Sequence, residues 1–124
     1  PRRRSADLAL LPVDVVRLAL VDDRLPDGQV ACLRQVLQHL SNASIARIVA
    51  KLRAYRYVVV TEHVPFDAVF EPNADKRDGF DIRPDHGSGV VLTAAPFFLA
   101  VRSSRTLCAV ADGIGLIRTT AYGL

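Results

Sequence analysis

Hydrophobic residues in the first half of the chain form two short runs with a helical stripe between them. The run from Gln29 to Leu33 is almost continuously apolar, which is typical of a strand buried on both faces. The run from Tyr57 to Thr61 is the clearest strand signal in the chain, and it also predicts burial on both sides. Between them, apolar residues at helical spacing predict an amphipathic helix over 43–54: Ile45, Ile48, Val49 and Leu52.

A second set of apolar residues at helical spacing directly follows the first run: Leu33, Val36, Leu37 and Leu40. Ser41 or Asn42 can cap the helix that comes next. Strand, helix and strand in this order form the unit from which parallel sheets are built. Ligands of such sheets bind at the carboxyl ends of the strands, and polar residues cluster there. They are Arg34, Gln35, His39, Glu62 and His63.

The residues ahead of this unit divide into a basic, irregular lead over 1–11 and a run over 13–21 whose β-branched residues predict another strand. Pro26-Asp27-Gly28 then has the composition of a turn. Two topologies are open. A strand that continues to Val21 favours an antiparallel hairpin with the next strand, whereas a strand that ends near Arg17 leaves just enough residues for a parallel crossover.

The second half of the chain begins with a long segment, 64–88, that is rich in proline, glycine and charged residues. A loop of this length is usually functional or disordered, so we consider both a substrate lid and a solvated loop. Beyond it, residues 89–93 predict a short strand. Residues 107–111 and 116–122 flank a glycine-containing turn and predict a β-hairpin.

Composition limits the class of protein. The 124 residues amount to at most one domain, which we place at 12–124, and the 50% hydrophobic content argues against general disorder. The net charge of +3 comes partly from Arg2-Arg3-Arg4. Aromatic residues are few and are not interleaved with basic ones, so nucleic acid is not the expected partner. No apolar stretch approaches the ~20 residues that a membrane span needs.

Cysteine and histidine usage adds two expectations. Cys32 and Cys108 lie in apolar runs, which predicts buried thiols, a reducing compartment and a cytoplasmic location. The sequence contains no CxxC pair, and the spacing of His39, Glu62, His63 and His86 does not support a metal site.

A series of sequence blocks along 12–124 resembles the C-terminal half of a bacterial class I S-adenosylmethionine-dependent methyltransferase. The blocks, in chain order, are Arg34–Asn42, Thr61–His63, Pro72–Lys76, Gly87–Val90, Pro96-Phe97 and Ile117–Thr119. The resemblance implies an α/β fold with part of a Rossmann-like sheet. In that sheet 29–33 is the fourth strand, 57–61 the fifth, and a C-terminal antiparallel hairpin supplies the last two.

The resemblance also implies that the N-terminal half of the fold is absent from this sequence. Methyltransferases of this class hold the cofactor mainly through a Gly-rich turn after the first strand and an acidic residue after the second. Gly87-Ser88-Gly89 and Gly113-Ile114-Gly115 do not lie between a strand and a helix, so neither qualifies as such a turn. The 29–33 strand is then expected to have an open apolar edge that promotes self-association. The alternative hypothesis is a catalytically inactive remnant or interaction module that self-associates, or binds a partner, through this open edge.

Roles for individual residues follow from the resemblance. Contacts to S-adenosylmethionine are expected from Asp22, Asp23, Arg34 and Gln35. Handling of the proton of a small-molecule acceptor is expected from His39, Glu62 and His63, because a histidine has a suitable pKa for it. Contacts to the acceptor from the long loop are expected from Asn73, Asp75, Lys76, Asp81 and Arg83. For each group the alternative is an ordinary structural role, such as an ion pair, a capped terminus or a solvated turn.

Overall fold

The structure, a computed structural model, describes residues 15–67 and 69–124. The first predicted boundary, between the basic lead and the domain, lies outside these residues. The strands are β1 (Val30–Arg34), β2 (Tyr57–Pro65), β3 (Glu71–Pro72), β4 (Ser88–Gly89), β5 (Ser103–Asp112) and β6 (Gly115–Gly123). One α-helix, α1 (Asn42–Leu52), and two 3-10 turns, Leu37–His39 and Arg83–His86, complete the described elements.

Four strands form one mixed sheet in the order β1-β2-β6-β5. β1 and β2 are parallel, with Val30 opposite Tyr57, and α1 connects them. β6 pairs antiparallel with both β2 and β5, and the β5–β6 turn contains Gly113 at a φ of 56°, a conformation that glycine adopts without strain. The predicted parallel unit followed by a C-terminal hairpin is therefore confirmed. β3 and β4 form a separate two-stranded parallel ribbon.

The amphipathic helix is also confirmed, with bounds within two residues of the prediction. Ser41 is its N-cap and accepts a hydrogen bond from the Ser44 amide, which satisfies a donor that the first turn leaves free. The four predicted apolar residues of its stripe are all buried, at most 2% exposed. They pack against β1, β2 and the segment after β4, whose buried residues are Val90, Leu92, Phe97 and Leu99.

The described residues cover β1 on one face only, so the prediction of burial on both faces is wrong for β1. Leu33 faces α1 and is 7% exposed, whereas Val30 is 51% exposed on the opposite face. In β2, Val58 and Val60 are buried on the α1 face and Thr61 is buried on the other, whereas Tyr57 at the start of the strand is exposed. Cys32 and Cys108 are also exposed, against the prediction of buried thiols. Both cysteines occupy edge strands, where a continuous apolar run does not imply two covered faces.

The strand predicted at 13–21 is wrong for its described part, 15–21, and residues 13 and 14 lie outside the description. The chain turns there instead, because the amides of Asp22 and Asp23 donate to the carbonyl of Ala19. The Asp23 carboxylate in turn accepts from the Ala19 amide at 2.6 Å. This local pairing replaces strand pairing, so neither the hairpin nor the crossover considered from the sequence is present in the described chain.

Two further boundaries differ from the sequence prediction. Leu33 belongs to β1, so the helical stripe that starts there shrinks to a single 3-10 turn at Leu37–His39. β2 continues to Pro65, because β6 offers it partners along its whole length. The charged segment after it is folded rather than free, since its short strands and its 3-10 turn hold it against the end of the sheet. The short strand predicted at 89–93 is reduced to β4.

Candidate functional site

The carboxyl ends of β1 and β2 are joined by a reciprocal set of hydrogen bonds. The Glu62 carboxylate accepts from the backbone amides of Leu37 (3.0 Å) and Gln38 (3.1 Å). The Gln38 side chain points back and accepts from the His63 amide at 2.8 Å. Glu62 and Gln38 are 2% and 4% exposed, so these bonds form away from water. The turn after β1 is thereby fixed to the end of β2.

Burial raises the pKa of Glu62 from 4.5 to about 7. The amides of Leu37 and Gln38 and the positive charge of Arg83 oppose this effect, because each of them favours the ionised carboxylate. Desolvation is the larger effect, so the carboxyl group changes its charge near neutral pH. A buried group of this kind in a strand-end cluster is a physical reason to consider a functional site.

The first residue after β1 has an unusual backbone. Gln35 has a φ of 51°, in the left-handed region that non-glycine residues rarely adopt, and its amide donates to the carbonyl of Thr61 at 2.7 Å. Arg34, just before it, is exposed and pairs in register with Thr61. Left-handed residues of this type concentrate where the chain holds a functional geometry. Arg34 and Gln35 thus lie at the same end of the sheet as Glu62.

The two histidines of the predicted catalytic group differ in their exposure to solvent. His63 donates from Nε2 to the carbonyl of Asp112 at 2.9 Å and is 8% exposed. His39 donates from Nδ1 to the carbonyl of Phe80 at 3.1 Å and is half-buried. A carbonyl oxygen only accepts, so these bonds place the proton on the bonded nitrogen. In the neutral rings, Nε2 of His39 and Nδ1 of His63 each remain as lone-pair acceptors. His39 is the less buried of the two, so its Nε2 atom is the better placed for proton transfer.

The residues predicted to contact an acceptor are bonded to the chain itself. Asn73 is 5% exposed and uses its amide to hold the backbone of Val91 and Ala95. Asp75 accepts from the Asn42 amide at 2.9 Å, at the start of α1. Lys76 donates to the His39 carbonyl and pairs with Asp81 at 3.2 Å. These contacts pack the loop onto the site, and the role of these residues toward an acceptor stays a prediction.

Arg83 anchors the same loop from inside. Its side chain is 1% exposed and donates to the carbonyls of Ala74 (2.6 Å) and Leu40 (2.7 Å) and to the side chain of Asn42 (2.8 Å). Its Nε atom is buried without a partner. Arg83 therefore connects the long loop to Leu40, directly after the Leu37–His39 turn, and to the start of α1.

Asp22 and Asp23 do not join this group. Asp22 pairs with Arg47 at 2.9 Å, and Lys51 donates to the carbonyls of Val21 and Asp23. They line an open cavity of about 560 Å³ beside the carboxyl-terminal end of α1, next to the start of β1. Arg34 and Gln35, by contrast, follow the end of β1. The four predicted cofactor contacts are therefore divided between opposite ends of that strand.

Two residues that the sequence did not single out take part in the site. Gln38 is not one of the apolar residues of the stripe between Leu33 and Leu40, yet it is buried and accepts a hydrogen bond from the His63 amide of β2. Asp78 accepts from the Ser41 amide at 2.7 Å and from the Ser44 hydroxyl, which adds a second carboxylate at the start of α1. An acidic side chain is favoured beside the first turn of a helix, and this preference is the sequence signal that could have identified Asp78.

The described residues contain no group of three or more His, Cys, Asp or Glu side chains that could hold a metal ion. None of the helices in the described ranges is both long and apolar enough to cross a membrane. Comparison with protein-family models, curated proteins and solved structures finds no match for this chain.

Proposed function

We propose that this chain supplies the C-terminal part of a class I S-adenosylmethionine-dependent methyltransferase that acts on a small-molecule acceptor. The carrying observation is the arrangement of the sheet. A parallel β1-α1-β2 unit is extended by the antiparallel hairpin of β6 and β5, and polar residues gather at the carboxyl ends of the parallel pair. The Rossmann-like identity of this sheet is part of the proposal.

The residues fit one side of a cofactor site. Arg34 and Gln35 lie at the carboxyl end of β1, where the proposal puts the methionine end of the cofactor. The left-handed Gln35 and the bonds between Glu62 and the turn amides fix that end of the chain before any ligand arrives. Asp22 and Asp23 lie at the other end of β1 and are not included in this site. The Gly-rich turn is supplied by none of these 124 residues.

Within this proposal the polar residues have different tasks. S-adenosylmethionine, when bound, supplies an activated methyl group. His39 takes the proton of the acceptor at its free Nε2 atom. Both carboxylate oxygens of Glu62 are engaged by backbone amides, so Glu62 positions the turn that carries His39. His63 is engaged with Asp112 and holds the end of β2 against the hairpin.

A second candidate function is a non-catalytic remnant that self-associates. The observation in its favour is the exposed face and edge of β1, where Val30 and Cys32 are open to solvent in the described structure. Unpaired strand edges of this kind are templates for pairing with another chain. This candidate requires no cofactor.

Calorimetric titration with S-adenosylmethionine and with its demethylated product distinguishes the two candidates. We expect micromolar binding from a version of the chain extended by the upstream coding sequence of its gene, and much weaker binding from the 124 residues alone. Arg34→Ala should weaken binding about tenfold, and Arg47→Ala, an exposed arginine beside Asp22, serves as the matched control. Absence of binding by both folded proteins would refute the methyltransferase proposal in favour of the remnant.

A further inference from the structure

β5 is a long strand edge with unusual exposure. All ten of its residues are exposed, and it forms the edge of the four-stranded sheet opposite β1. The strand contains no proline, and its only charged residues are Arg105 and Asp112. Natural edge strands are usually short, or carry lysine or proline, to prevent pairing with another chain. This one is protected by a bulge at Leu107 and by little else.

The pairing with β6 fixes which side chains of β5 share a face. Arg105 is opposite Ala121, Cys108 opposite Thr119, Val110 opposite Ile117 and Asp112 opposite Gly115. Alternate residues of β6 point to one side of the sheet, so these four β5 residues lie on one face. Thr106, Ala109 and Ala111 lie on the other. Leu107 is the extra residue of the bulge and has no opposite partner in β6.

We propose that two copies of this chain pair antiparallel through β5, with Ala109 on the two-fold axis. In that register Arg105 of each copy faces Asp112 of the other, and the two copies form two cross-strand ion pairs on one face. Cys108 then faces Val110, and Thr106 faces Ala111. The two members of each opposite pair therefore project from the same face of the sheet. The sheet becomes continuous across eight strands.

Charge complementarity selects a second copy as the occupant. A two-fold axis needs a surface that complements itself, and Arg105 and Asp112 are placed symmetrically about Ala109 once the bulge is left out of the count. A shift of the axis by one residue to either side removes both ion pairs. Parallel pairing in register would place Arg105 against Arg105, which is unfavourable.

This interface does not depend on the proposed methyltransferase activity. β1 and β5 are opposite edges of the sheet, so a protein segment that covers β1 leaves β5 free. Loss of cofactor binding in the titration above would leave the β5 interface untouched. Failure of the β5 interface would equally leave the cofactor site intact.

Cysteine crosslinking tests the register in the full 124-residue chain. In a Cys32→Ser, Cys108→Ser background, Ala109→Cys places two thiols directly opposite, at a Cα separation of about 4.5–5.5 Å, which a disulfide spans. Ala111→Cys is the matched control on the same face. Its two copies lie four residues apart along the strands, roughly 13 Å, which is too far for a disulfide. We expect Ala109→Cys to form disulfide dimers at least tenfold faster on mild oxidation.

Charge exchange tests the ion pairs independently of crosslinking. Sedimentation of the wild-type chain should show a dimer that Arg105→Asp and Asp112→Arg each weaken, and the double exchange should restore it. Far-UV circular dichroism confirms that each variant is folded. A wild-type chain that sediments as a monomer at millimolar concentration overturns the proposal. Equal crosslinking of the two cysteine variants also overturns it. So does disulfide formation between two copies of Cys32 in the Cys108→Ser variant, because that result assigns self-association to β1.

Discussion

Glu62 and Gln38 link the carboxyl ends of β1 and β2 through a reciprocal pair of hydrogen bonds between their side chains and the opposite backbone. Glu62, in β2, accepts from the Gln38 amide, and Gln38, after β1, accepts from the amide of His63, the residue that follows Glu62. A parallel strand pair ends in backbone groups without ladder partners, and here two buried side chains satisfy them. The geometry of the site at the carboxyl ends of β1 and β2 depends on this reciprocal pair.

Stability should fall as the pH rises from about 4.5 to about 7, because Glu62 must ionise while buried. Its pKa is raised by burial to about 7 in the folded protein. The folded state therefore binds the proton more tightly than the unfolded state. This proton binding contributes its full stabilisation below pH 4.5, and the contribution is lost as the pH rises to about 7 and above. The shift corresponds to about 3 kcal/mol in the free energy of unfolding. Urea denaturation at several pH values measures it.

Glu62→Gln is the matched variant for this prediction, since it keeps the shape and removes the ionisation. Its free energy of unfolding should be nearly constant over the same pH window. A wild-type slope that persists in Glu62→Gln assigns the titration to another group. Asp75 and Asp78 do not titrate in this pH range. The amides of Asn42 and Ser41 lower their pKa values, so these two carboxylates become protonated only at lower pH.

Replacing Arg83 should destabilise the protein strongly. Arg83→Met keeps much of the buried volume but leaves the carbonyls of Leu40 and Ala74 and the side chain of Asn42 without their donor. Each unsatisfied buried group costs about 1–3 kcal/mol, so a total loss of roughly 3 kcal/mol or more is expected in chemical denaturation. Arg77→Met, at an exposed arginine of the same loop, is the control and should stay within about 0.5 kcal/mol of wild type.

Ser41→Ala should weaken α1 at its start. The serine hydroxyl accepts from the Ser44 amide, and loss of an N-cap of this kind costs about 1 kcal/mol. Ser41→Asn should retain most of the stability, because its side-chain oxygen also accepts from that amide and adds no charge beside Asp78. Ser104→Ala, on the exposed β5 strand, should have little effect. Equal stability of Ser41→Ala and wild type in thermal unfolding would contradict the capping role.

Both thiols should react in the native protein. Cys32 and Cys108 are exposed on the two edge strands, so a thiol-specific reagent should modify two groups per chain without denaturant. Cys32→Ser and Cys108→Ser should each reduce the count by one. A native protein that reacts only after addition of denaturant would show that both thiols are covered.

The sequence by itself determined the local elements where a single interaction dominates. The stripe from Ile45 to Leu52 and the N-cap at Ser41 specify α1, and the glycine-containing turn at Gly113 specifies the hairpin of β5 and β6. The order of strand, helix and strand made β1 and β2 parallel neighbours, because an intervening helix returns the chain to the same end of the sheet.

Only the tertiary structure decided which apolar residues are covered and which polar residues meet. The apolar run predicts burial of Val30 and Cys32, yet burial depends on a packing partner, and the described fold provides one on a single face of β1. Gln38 lies outside the apolar stripe of the sequence, yet its buried side-chain oxygen accepts from the His63 amide at the end of β2. Asp22 and Asp23 read as site residues, yet they face the opposite end of β1. These outcomes rest on contacts between distant residues, and no local pattern encodes such contacts.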